Sequence, residues 1–461
     1  MNVKILLPML LMGCVLAGCS KSKFLDERPD NSLVEPKTLA DLQALLDNDF
    51  VMNGTGSYGL VPALGETGAD NYYLNETEYT DYLAPLYRKC YTWDKDLYAG
   101  EDILDWNFPY RCIFYANIVL DALPGVQPSA GEQTQWNEEK GSALFHRGHM
   151  LYQLAQVFAP PYDSLTAATD LGVPLRMESD INEPIRRASV AETYRQMVAD
   201  VSEAIGLLPV TPLYKTRPSK AAAYALLARI YQTMEDYPRS LLYADSCLQL
   251  TSALMDYNTM STTDYFPFQR FNPEVLFSCA WLAVDLYPVA ITVSQVDSGL
   301  YSLYDTDDLR RVLFFKDFGN GPSFTGTYDQ EGSAFCGPAT DEVMLIRAEA
   351  LARAGRTEDA MTALNNLLMT RYLSGTFMPL EATDAEEALR IILRERRKEL
   401  LMRGLRWTDL RRLNKDPRFA VTLTRIVNGD TYTLPPNDKR YVYPIPDKVI
   451  ALHPDMKQNE R

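Results

Sequence analysis

The sequence predicts a mainly α fold: a TPR-like scaffold of helical hairpins, interrupted by a loop-rich inserted region that contains a few short strands. Three observations predict it. Residues 219–250 read as two short helices broken at Asp236-Tyr237-Pro238, because proline lacks the helical N–H donor and suits a first turn. Small residues (Ala228, Ser240, Cys247) stand where the two helices meet, and Tyr231 follows Ala228 by one turn. Residues 341–371 repeat the pattern, with Ala348, Leu351 and Ala360 at the offsets of Ala228, Tyr231 and Ser240, and Gly355 in the turn. Between the two, residues 251–340 carry Phe, Tyr, Thr, Gly and Asp without a sustained helical period. A hairpin of this kind cannot bury its own apolar face and needs stacked neighbours, so the intervening residues read as an insertion that carries function.

The 461-residue chain is long enough for a large buried core, and its formal net charge of −16 argues against a nucleic-acid surface. It has 28 Tyr and only three His, which leaves little material for histidine catalysis and much for packing or recognition. Seven Cys include no Cys-x-x-Cys pair. With Cys14 in the leader and Cys19 just after it, the remaining Cys90, Cys112, Cys247, Cys279 and Cys336 argue against a disulfide framework and leave a single bridge open.

In chain order, residues 1–18 carry Lys4 and then an apolar run ending in small residues, the pattern of a bacterial secretory signal too short to span a membrane. Leu16-Ala17-Gly18-Cys19 resembles the lipobox of bacterial lipoproteins. That resemblance implies cleavage after Gly18, a lipidated Cys19 and a membrane anchor of several acyl chains. Residues 19–36 read as a polar tether, and 37–461 as a single domain. Residues 38–47 predict a helix behind the cap Thr38. Residues 65–83 have a Tyr- and Asn-rich loop composition, and their tyrosines have no evident core to enter. Helices follow over 97–123, 137–158 and 190–208, the last two separated by Pro160-Pro161 and the extended piece Gly172-Val173-Pro174-Leu175. Within the insertion, 274–281 and 289–293 read as short strands. Residues 385–413 read as a long helix interrupted near Gly404, and 414–461 as an extended, Pro-rich tail.

Little of this points to catalysis. Residues 394–412 are strongly basic, but Glu395, Glu399 and Asp409 are interleaved at helical spacing, which reads as interhelical ion pairing with Trp407 filling a packing surface. His146 and His149 share a helix face without the further ligands of a metal site. No nucleophile elbow, P-loop or dinucleotide fingerprint occurs, so neither a catalytic residue nor a cofactor is expected. Exposed aromatics and short polar groups are the currency of sugar recognition, since sugar C–H faces stack on stiff, amphipathic Tyr and Trp. The candidates are Asn71, Tyr72, Tyr73, Asn75, Tyr79, Tyr82 and Trp93 in a first variable region (65–96), and Tyr265, Trp281 and Tyr287 in a second (251–340).

Several separated motifs together resemble the SusD/RagB family of outer-membrane nutrient-binding lipoproteins of Bacteroidetes. They are Lys23-Phe24-Leu25-Asp26 after the lipobox, residues 141–158 running into Pro160-Pro161-Tyr162, the Ala-rich 218–232, Asn272-Pro273-Glu274-Val275-Leu276-Phe277, and 341–355. The most specific is Glu395-Arg396-Arg397-Lys398-Glu399-Leu400 followed by Gly404 and Arg406-Trp407-Thr408-Asp409-Leu410, with Pro444-Ile445-Pro446 and Gln458-Asn459 near the end. The resemblance implies a TPR-like helical scaffold, variable loops that bind a glycan or a peptide, and delivery to a SusC-type TonB-dependent transporter. A TPR-type scaffold that binds a protein partner and no nutrient is the alternative reading.

Overall fold

A computed structural model describes residues 36–55, 59–282, 294–330 and 333–461. The leader, Cys19, nearly all of the tether, Tyr287 and the strand expected at 289–293 lie outside the described residues.

Helix α1 (Leu39–Leu46) opens the domain behind a reciprocal cap: the Asp41 N–H donates to Thr38 Oγ1 (3.2 Å) and the Thr38 N–H to the Asp41 carboxylate (3.0 Å). After α2 (Asp49–Met52), the 65–83 segment departs from the loop reading. It forms α3 (Leu64–Gly68), strand β1 (Tyr72–Tyr73) and a wide, π-helical turn at Glu78–Tyr82, ahead of α4 (Pro85–Tyr91). Of its four tyrosines only Tyr72 enters a core, beside Tyr87 and Tyr91 of α4; Tyr79 is half-buried, and Tyr73 and Tyr82 stay exposed. Helix α5 (Leu104–Ala122) begins later than the expected residue 97 because Ala99 and Gly100 take φ of 48° and 78°, which no right-handed helix accepts. Helix α6 (Gln133–Phe158) is buried along its second half and ends at Ala159-Pro160. Strands β2 (Leu171–Pro174) and β3 (Arg187–Ser189) pair antiparallel in the connection to α7 (Val190–Leu207).

The hairpin of α8 (Lys220–Thr233) and α9 (Tyr237–Leu250) has the expected close contact. Ala228, Ser240 and Cys247 are buried at its seam, and Ser240 Oγ donates to the Ala228 carbonyl across it at 2.9 Å. Tyr231 and Tyr243 stack at 5.5 Å alongside. Next come β4 (Gln295–Val296), α10 (Ser298–Tyr301), α11 (Arg310–Leu313) and the antiparallel pair β5 (Phe315–Asp317) and β6 (Pro322–Phe324). The expected strand at 274–281 is reduced to single bridges along 334–339, Val275 to Ala339 and Ala280 to Phe335, because the register slips where Leu276 and Phe277 N–H both donate to the Pro338 carbonyl and Ser278 N–H turns to the Lys215 carbonyl.

The second hairpin, α12 (Thr340–Arg353) and α13 (Thr357–Leu368), follows, and then α14 (Ala385–Glu399) and α15 (Arg406–Leu413). Helix α6 packs on α7, α7 on α8, α8 on α9, α9 on α12, and α12 on α13 and α14. The stack is therefore continuous across the insertion, which is looped out of it. The tail is not simply extended: β7 (Leu423–Val427) and β8 (Asp430–Leu434) form a hairpin, and α16 (Asp447–Leu452) follows. Its two-residue turn is Asn428-Gly429, with φ of 51° and 82°, the backbone a twisted tight hairpin demands.

Candidate functional site

The basic motif of α14 and α15 is where the insertion is fastened. Arg310 grips Asp308 with two hydrogen bonds (2.9 and 2.7 Å), Glu395 at 2.7 Å and Glu399 at 2.9 Å. Arg371 joins Glu399 (2.7 Å) to Glu274 (2.9 Å), and Lys398 bridges Asp308 (2.9 Å) and Glu395 (3.1 Å). Arg403 pairs with Asp341 at 3.1 Å, while the Tyr328 hydroxyl lies 2.8 Å from Glu274 and 3.1 Å from Asp341. All these charged side chains are buried. Among the described residues, Glu274, Asp341 and Glu399 have carboxylates spaced as metal ligands are, within 4.8 Å of one another. Arg371 and Arg403 already occupy them, so this is an ion-pair centre. Burial pushes the Glu274 carboxyl up, which eases the excess of carboxylates there.

The same motif fastens the first variable region. Arg406 binds Asp70 through two hydrogen bonds (2.6 and 2.9 Å), and Arg397 binds it at 3.1 Å. Burial alone would raise the Asp70 carboxyl, but Arg406, assisted by Arg397, outweighs it and holds the group well below the usual carboxylate range. Trp407 lies flat on α3, where a Cβ at Gly68 would come within 2.9 Å of its ring, and Tyr441 covers it at 4.7 Å. From β7, Arg425 stands 3.6 Å from the Tyr91 ring centre and 4.9 Å from that of Trp93, and it donates to the carbonyls of Thr67, Ala69 and Tyr91.

The two variable regions then meet. Tyr72 pairs with Val296 and Tyr73 with Gln295 between β1 and β4, and the Asp297 N–H donates to the Asn71 carbonyl at 2.9 Å. The buried Glu78 carboxylate ties the junction, accepting from the Asn75 N–H (2.9 Å), Gln295 Nε2 (3.0 Å) and Asn320 Nδ2 (3.3 Å).

Residues 23–232 match the family profile described as "Starch-binding associating with outer membrane", and residues 341–461 match that of the SusD family. The chain belongs to the SusD/RagB family. It is 24% identical to "SusD-like protein P2" of Formosa agariphila over 86% of this chain and 88% of that protein. Its fold resembles that of a SusD superfamily protein from Bacteroides thetaiotaomicron (TM-score 0.75, 22% identity, 92% of this chain and 100% of that one). It also resembles a "Putative sugar binding protein" from Bacteroides vulgatus (0.73, 22%, 92% and 98%) and "Surface glycan-binding protein A" from Bacteroides fluxus (0.68, 18%, 92% and 99%).

Within this SusD/RagB chain the sequence-predicted aromatics separate into two groups. Tyr72, Trp93, Trp281 and Asn71 are buried and present no face to a ligand here. The Tyr72 hydroxyl donates to the Thr67 carbonyl (2.8 Å), Trp93 Nε1 to that of Gly68 (2.9 Å), and Asn71 Nδ2 to Glu66 (2.6 Å), so their polar ends are spent on holding the loop. Tyr79 is half-buried against Tyr91, and Asn75 caps the turn by accepting from the Glu78 N–H at 2.9 Å. Tyr73, Tyr82 and Tyr265 are exposed, at 43%, 47% and 61%. Sequence reasoning missed Phe318, which stacks on Tyr265 at 5.5 Å, and the neighbouring exposed Asn320. An aromatic set in the turn-rich Asp317-Phe318-Gly319-Asn320-Gly321 was the available signal.

Several concavities lie away from these loops. One of about 820 Å³ is lined by Arg187, Lys415, Lys439 and Asn459, and one of about 300 Å³ by Trp106, Tyr110, Phe114 and Val449. His146 and His149 are buried beside Phe277, and burial lowers the His146 pKa to about 3, so it is neutral.

Glu66, under the first region, makes a pH prediction. Burial pushes its carboxyl up to about 7 against the lowering effect of Asn71, from an ordinary 4.5. Between those values the folded chain keeps a proton the unfolded chain has released. Stability is therefore untouched below pH 4.5, falls as pH rises through the window, and is lower by up to about 3 kcal/mol above pH 7. Glu66→Gln keeps an acceptor for Asn71 and removes this term. The urea midpoints of wild type and variant should lie closer at pH 5 than at pH 8, where the variant is the more stable; a variant equally or less stable at pH 8 refutes the assignment.

Proposed function

We propose that the chain is a non-catalytic, surface-exposed lipoprotein that captures a glycan and passes it to a SusC-type TonB-dependent outer-membrane transporter. One observation carries the reading. Two regions some 200 residues apart are joined through β1, β4 and Glu78, and on them Tyr73, Tyr82 and Tyr265, the last stacked on the half-buried Phe318, are exposed. Sugar rings offer apolar C–H faces for such rings, while Asn320 and Asp317 supply groups for hydroxyls. The names of the fold relatives, a sugar-binding and a glycan-binding protein, support the glycan over a peptide. Affinity electrophoresis against a panel of polysaccharides and peptides tests it: retardation by a polysaccharide is expected, and binding to peptides alone removes the glycan.

The lipobox supports an anchor at Cys19, and the family's outer-membrane association agrees with it. Cys19→Ala should move the protein from the membrane to the soluble fraction; continued firm anchoring contradicts the lipid assignment.

A further inference from the structure

The cysteines divide by position. Cys279 and Cys336 face each other on adjacent antiparallel segments: Ala280 pairs with Phe335, and the Cys336 N–H donates to the Cys279 carbonyl at 3.0 Å. Directly opposed residues that share a ladder hydrogen bond have Cα atoms about 5.5 Å apart, inside the range a disulfide spans. Their sulfurs lie 3.5 Å apart, and both are buried. Cys90 and Cys247 have no such opposed partner among the described residues, and Cys112 contacts Met52 and His146. Cys279 and Cys336 also bracket the stretch that contains β4, α10, α11, β5 and β6, so a bond between them closes the neck of the insertion.

We propose that Cys279 and Cys336 form a disulfide in the exported protein, stapling the base of the second variable region. The family's outer-membrane setting supports it, because disulfides persist in compartments outside the cytoplasm. The oxidant is an exported protein dithiol oxidase carrying its own disulfide. The Cys279 thiolate attacks that disulfide to give a mixed disulfide, and the Cys336 thiolate then attacks the Cys279 sulfur and expels the oxidase dithiol. Two electrons pass to the oxidase, and the two protons lost by the cysteines balance those gained by its thiols. Burial pushes the Cys336 thiol well up in the folded chain, so the exchange belongs to folding, before the neck closes.

The test uses the full chain isolated from cell envelopes, with thiols blocked by iodoacetamide during denaturation and before any reductant. Peptide mapping should find Cys279 linked to Cys336, two hydrogens lighter than the dithiol, with Cys90, Cys112 and Cys247 alkylated. Reduction should lower the thermal midpoint by roughly 5 °C, the scale for cross-linking a loop of this length in a chain of this size. The Cys279→Ser/Cys336→Ser variant should lose that response to reductant. Alkylation of both cysteines, or a bond joining either of them to Cys112, overturns the proposal.

Discussion

Arg310→Ala should destabilise the domain by about 3–5 kcal/mol, because removing one partner of a buried ionic cluster leaves the others uncompensated in a dry interior. Asp308, Glu395 and Glu399 all point at this guanidinium, and after its loss Lys398 remains on Asp308 and Glu395, and Arg371, shared with Glu274, on Glu399. The urea or guanidinium midpoint reads the change. Arg394, on the same helix but half-exposed, is the control: Arg394→Ala should stay within about 0.5 kcal/mol. Equal, small effects of both substitutions would mean that the cluster does not hold the insertion to the scaffold.

Trp93→Ala should cost a similar ~3–5 kcal/mol, the scale of deleting a large buried aromatic. The ring is 1% exposed, donates to the Gly68 carbonyl at 2.9 Å, and forms part of the aromatic box around Arg425. Tyr82→Ala, only eleven positions earlier but exposed, should leave the midpoint within about 0.5 kcal/mol. The pair separates residues that build the loop from residues the loop presents. A harmless Trp93→Ala would place Trp93 back among the ligand-facing candidates.

The scaffold was legible because its signals are local. Pro238 behind the Asp236 cap, the small Ala228 and Ser240, and the recurrence at Ala348 and Ala360 specify hairpins without knowledge of distant contacts. The basic motif was legible as ion pairing from its interleaved carboxylates, but not its partners: Asp70, Asp308, Asp341 and Glu349 are spread over the chain and are placed only by the fold. The first variable region was misread for the same reason. Tyr72 and Trp93 are buried because Arg425, from a hairpin more than 300 residues later, supplies a cation and five N–H donors beneath them. That hairpin had a local signal of its own, Asn428-Gly429 between alternating strands, which the Pro-rich surroundings obscured.

The central claim is that a rigid helical stack presents exposed aromatics from two converging loops to a glycan. Calorimetric titration of wild type and of the Tyr73→Ala/Tyr82→Ala/Tyr265→Ala variant, with a polysaccharide that the wild type binds, tests it most directly. The variant should keep its thermal midpoint and bind at least ~10-fold more weakly, the loss expected when stacked rings are removed. Unchanged affinity in a folded variant would contradict the claim and move the search to the cleft lined by Trp106, Tyr110 and Phe114.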